Sequence, residues 1–240
     1  MINEHEAAIV RTTAEVITAT FTTMSVAKPT PVQIPAAPYT LFAVEQNPNA
    51  FSAILKLSDP SASSNFTQDI SISPLSLTVS YETPYRVRVC ISDREEKRWR
   101  VPQSVVEVDG PHDNNKEFRY KFKYNVHEGE TFAGFSVSRQ KPREVLVKKT
   151  NHESDSCSGK ALFDCINEKF VFKDQYIEIT TKLGKDSNIY GLGEIVGPLK
   201  KKAGDRLTFW ARDAQNPVGE NIYGSHPFYI ELRDGMAHGV

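Results

Sequence analysis

The sequence predicts a mainly-β chain built as an antiparallel β-sandwich, and three observations carry that prediction. Apolar residues recur with a period of two in many short runs. Gly, Asn, Asp and Pro separate those runs at turn-like spacing. No long amphipathic helical stretch stands between them, which argues against a βαβ arrangement.

Residues 1–38 read as a flexible lead-in and linker. A Thr/Ala-rich stretch from Ala7 to Thr23 is followed by Lys28-Pro29-Thr30-Pro31 and Pro35-Ala36-Ala37-Pro38. Ala7, Ala8, Val10, Ala14 and Ile17 fit one helical face, but the threonines disfavour a helix. From Tyr39 onward the chain reads as a sandwich domain, 39–240. Leu75, Leu77, Val79 and Tyr81 line one strand face, and Val87, Val89 and Ile91 follow a turn at Thr83-Pro84. Phe118, Tyr120, Phe122 and Tyr124 repeat the alternation in aromatic form, and Phe135 to Val137 answers it after Gly129. Val145-Val147, Leu162-Phe163, Tyr176 to Thr180 and Phe228 to Leu232 continue the series.

Composition narrows the function classes. The 240 residues carry 29 Lys+Arg against 30 Asp+Glu, a net charge of −1, so no overall field favours nucleic acid or an anionic surface. Hydrophobic residues at 39% and charged residues at 25% fit a folded globular chain. No apolar run approaches the roughly 18–20 residues of a membrane span, so neither a membrane nor a nucleic-acid partner is expected. Met1 to Glu6 is acidic where a secretory leader would be basic. Cys90, Cys157 and Cys165 lack metal-ligand spacing, and a Cys157–Cys165 bridge and free thiols both stay open. Asn65-Phe66-Thr67 is a glycosylation sequon, meaningful only in a secretory compartment.

Several residues carry a chemical reading beside a bland one. Gly191-Leu192-Gly193-Glu194 lacks the third glycine and the lysine of a phosphate-binding loop, so it reads as a tight strand connection. Lys200-Lys201-Lys202 before Ala203-Gly204-Asp205 reads as a solvated hairpin tip. His226 reads as a packed core or interface group, and Trp99 and Trp210 as aromatics buried in the sandwich or under a neighbouring barrel that also have the shape to stack on a sugar. Glu95 and Glu96 sit in a charged turn and do not form an acid/base pair.

The last third is the most specific. Phe172 to Ile179 runs into Asn188-Ile189-Tyr190-Gly191-Leu192-Gly193-Glu194, then Phe209-Trp210-Ala211-Arg212-Asp213, then Asn221-Ile222-Tyr223-Gly224-Ser225-His226-Pro227-Phe228-Tyr229, and last His238-Gly239-Val240. In that order the motifs resemble the N-terminal region of the retaining α-glucosidases of glycoside hydrolase family 31, over roughly residues 39–240. The resemblance implies a galactose-mutarotase-like sandwich, incomplete at its C-terminus, that precedes a (β/α)8 catalytic barrel absent from this chain. It implies hydrolysis of maltose- or starch-type α-glucosides without a cofactor or metal, by two barrel aspartates, so that this chain alone is inactive.

The family's sandwich contributes one loop to the substrate pocket, here 211–220. Asp213 then takes the position that binds the sugar on the leaving-group side, and Arg212 holds that carboxylate ionised and oriented. Ala211 departs from the family, where many members carry Asn. The expected partners are α-glucoside oligosaccharides and a barrel-bearing portion or subunit, and the expected location of the full-length protein is secreted or vacuolar. Without a barrel-bearing chain, the same sandwich would be a stand-alone carbohydrate-binding module or an inert fragment.

Overall fold

A computed structural model of the chain describes residues 5–13, 17–24, 39–58, 71–95, 98, 105, 118–140, 161–174, 176–184, 187–202, 205–211, 217–233 and 235–240. Among these residues the strands whose register is defined pair antiparallel and no α-helix occurs. The fold is mainly β, as predicted. The chain divides into two compact units, unit one from 1–35 and 163–240, and unit two from 36–162.

Unit two opens with a four-stranded meander of β3 (Tyr39–Asn47), β4 (Ala50–Leu57), β5 (Leu75–Thr83) and β6 (Arg86–Asp93), in that order. The β5–β6 turn falls at Thr83-Pro84 as predicted, with the Tyr85 N–H donating to Thr83 Oγ1 at 3.1 Å. A second sheet holds β7 (Tyr120–Val126), β8 (Phe132–Arg139) and then β9 (Ala161–Asp164), where the chain passes into unit one. Period two decides what is buried. Phe51 and Leu55 of β4, with Leu75, Leu77 and Val79 of β5, line one inner face, and Phe132, Phe135 and Val137 line the other. Phe51 bridges the faces, its ring centroid 5.2 Å from Phe122 and 5.0 Å from Tyr124.

β7 is the outer strand of its sheet, so part of its backbone lacks a ladder partner. The Tyr81 hydroxyl meets that need by accepting the Phe122 N–H at 3.0 Å. Tyr81→Phe is therefore expected to cost about 1 kcal/mol. An unfolding midpoint equal to wild type in urea would show that water replaces the hydroxyl without loss.

Unit one contains a five-stranded sheet. Its members are β1 (His5–Thr13), β2 (Ile17–Met24), β10 (Phe170–Phe172), β11 (Tyr176–Leu183) and β13 (Arg206–Phe209), ordered β10-β11-β1-β2-β13. A three-stranded sheet holds β12 (Asn188–Gly191), β14 (Tyr229–Arg233) and β15 (Met236–Gly239). Leu183, Leu207 and Phe209 from the first sheet pack with Ile189, Leu192 and Tyr229 from the second sheet and its connection.

Two features differ from the sequence reading. The stretch read as a flexible lead-in supplies β1 and β2, which pair with β11 and β13. The same β-branched threonines that argued against a helix favour a strand once partners exist. The second is the long-range pairing itself, which joins the β1–β2 hairpin to the later strands and which no local pattern announces. Val145 and Val147, like Asn65, Trp99, Glu96 and Cys157, lie outside the described residues.

Candidate functional site

The site is built around the base of the 211–220 loop in unit one. β13 delivers the chain to it: Leu207 and Phe209 point inward and are buried, so Trp210, one residue on, faces outward and is 41% exposed. Of the two burial readings, strand parity removes the one that places Trp210 in the core of the sandwich. His226 is also exposed, because residues 224–228 run as irregular chain beyond any sheet.

On the far side of the loop the chain returns along the segment after β12. Val218 bridges Val196, the Gly219 N–H donates to the Val196 carbonyl at 2.9 Å, and Asn221 bridges Ile195. The Ile222 N–H donates to the Glu194 carbonyl at 2.8 Å. Asn221 is buried at 2% exposure. Its Oδ1 accepts the Glu194 N–H at 3.1 Å, and its Nδ2 donates to the Trp210 carbonyl at 3.3 Å.

The Gly191-Leu192-Gly193-Glu194 segment forms the tight connection expected of it. Three consecutive residues adopt left-handed backbone, with φ of +100° at Gly191, +66° at Leu192 and +72° at Gly193. At Gly193 a side chain has no room, since a Cβ would meet Asn221 Oδ1 and the Phe209 ring. The Leu192, Gly193 and Glu194 N–H groups donate to the carbonyls of Phe228, His226 and Gly224 at 2.8, 2.8 and 3.1 Å. Glu194 has a structural task as well, its Oε2 accepting the Gly224 N–H at 2.9 Å. The lysine cluster closes as a turn, with the Lys202 N–H donating to Asp205 Oδ2 at 2.7 Å.

Behind this segment lies a buried polar group that sequence reading missed. Glu231 in β14 is 0% exposed. Its Oε1 accepts from Ser187 Oγ at 2.6 Å and Arg233 Nε at 2.7 Å, and its Oε2 accepts from Arg233 at 2.7 Å. His238 Nε2, from the residue opposite in β15, lies 2.9 Å from Oε2, near enough to pair electrostatically but without hydrogen-bond alignment. Burial pushes the Glu231 carboxyl up, but the contacts with His238, Ser187 and Arg233 outweigh it and hold the group below the usual carboxylate range. The Tyr229 hydroxyl beside it is pushed up, by burial and then by the Glu231 charge. With β14 turned this way, Ile230 and Leu232 face outward at 40% and 41% exposure. No cluster of metal-ligating side chains occurs among the described residues.

Sequence comparison then decides the family. The glycosyl hydrolase 31 N-terminal galactose mutarotase-like domain matches residues 62–240.

The chain belongs to this family.

An α-glucosidase of Mucor javanicus is 34% identical over 170 residues, covering 71% of this chain and 18% of that protein. An α-glucosidase of Schizosaccharomyces pombe is 36% identical over 163 residues, covering 66% of this chain and 15% of that protein. An Aspergillus clavatus protein named as a probable alpha/beta-glucosidase is 34% identical over 212 residues, with 86% and 21% coverage. The chain therefore spans about a fifth or less of the relatives it matches. As a family 31 N-terminal domain it has the mutarotase-like β fold predicted. Arg212 and Asp213 both lie outside the described residues, between Ala211 and Pro217. What the described residues supply is the frame on either side of them.

Proposed function

We propose that this chain is the sandwich portion of a retaining α-glucosidase that releases terminal glucose from maltose- and starch-type oligosaccharides. The family match carries the reading. The two catalytic aspartates then belong to a barrel-bearing portion, which donates the proton to the leaving sugar and forms the glycosyl intermediate. This chain supports that portion and offers the 211–220 loop to the pocket. Asp213 accepts hydroxyl hydrogen bonds from the sugar on the leaving-group side, and Arg212 keeps the carboxylate ionised. The Asn65 sequon fits a secreted or vacuolar full-length enzyme.

The isolated chain is expected to release no glucose from maltose, and the full-length enzyme to do so. Glucose release by the purified chain would refute the division of labour. In the full-length enzyme, Asp213→Ala should raise KM roughly 10- to 100-fold, the effect of losing hydrogen bonds to a charged group, with kcat changed far less. Steady-state kinetics on maltose and maltotriose decide it, and unchanged KM values on both would remove Asp213 from the pocket.

One observation favours a second reading, a carbohydrate-binding module acting alone. Trp210 at 41% and Tyr223 at 58% exposure flank the loop base with the aromatic surface that stacks on sugar rings. Calorimetric titration of the isolated chain with maltoheptaose tests it, and saturable binding would favour this second reading.

A further inference from the structure

We draw no further inference here: the strongest candidate, the outward face of the β12-β14-β15 sheet, where Phe228, Ile230 and Leu232 leave apolar side chains exposed, carries nothing because nothing in the structure shows what covers it.

Discussion

Glu231→Ala is expected to destabilise unit one by about 3–5 kcal/mol, a large share of the roughly 5–15 kcal/mol that holds a domain folded. The carboxylate is fully buried on the middle strand of its sheet, between Ile189 on β12 and His238 on β15. It receives hydrogen bonds from Ser187 and Arg233, and Arg233 is itself only 15% exposed. Removing the anion takes the carboxylate away from a guanidinium that is itself largely buried, which costs more than an exposed contact would. The pH dependence follows from the direction of the shift. A carboxyl held lower in the folded chain than its unfolded value of about 4.3 adds stability that is fully present above that value. The contribution is lost as pH falls through the folded value. Urea unfolding of wild type and Glu231→Gln should therefore show midpoints well apart at neutral pH that converge in acid. Parallel midpoints from pH 7 to pH 3 would mean that the ionised carboxylate contributes nothing.

That same residue shows where a sequence stops being legible. In β5 the alternation reads directly into burial, with Leu75, Leu77 and Val79 inward, because apolar side chains facing a core need no partner beyond other apolar side chains. In β14 the pattern inverts: hydrophobicity alone would turn Ile230 and Leu232 inward, yet Tyr229 and Glu231 are the buried residues. A carboxylate can occupy a core position only when its partners come with it, and Ser187, Arg233 and His238 are spread over 52 positions of chain. No local signal marks such a group. The β1–β2 hairpin is hidden for a related reason, since its threonines fit a linker and a strand equally well until β11 and β13 supply the ladder. At the loop, motif order made the region recognisable through Phe209 to Asp213 and Asn221 to Tyr229. The task of Asn221 emerges only when its amide is seen between Glu194 and Trp210.

Gly193→Ala is expected to be nearly as damaging, and its comparison with Gly219→Ala isolates the cause. Both glycines hold left-handed backbone, φ +72° and +81°, which costs an alanine about 1–2 kcal/mol. At Gly219 nothing lies within 4 Å of an added Cβ, so that backbone cost should be the whole effect. At Gly193 the methyl group meets Asn221 Oδ1 and comes within 2.7 and 2.9 Å of two Phe209 ring carbons. Phe209 is 1% exposed and packed among Leu183, Leu207 and Tyr229, so the ring has nowhere to retreat. Overpacking adds about 1–3 kcal/mol, for a total of roughly 2–5 kcal/mol. The yielding partner would be the Asn221 amide, and its displacement breaks the bonds to Glu194 and Trp210 together. Gly193→Ala should therefore lower the urea unfolding midpoint well below that of Gly219→Ala, where the backbone cost stands alone. Equal unfolding midpoints for the two variants would mean that the contacts at Gly193 relax freely, and that the loop base is far less tightly packed than the placement of Phe209 and Asn221 requires.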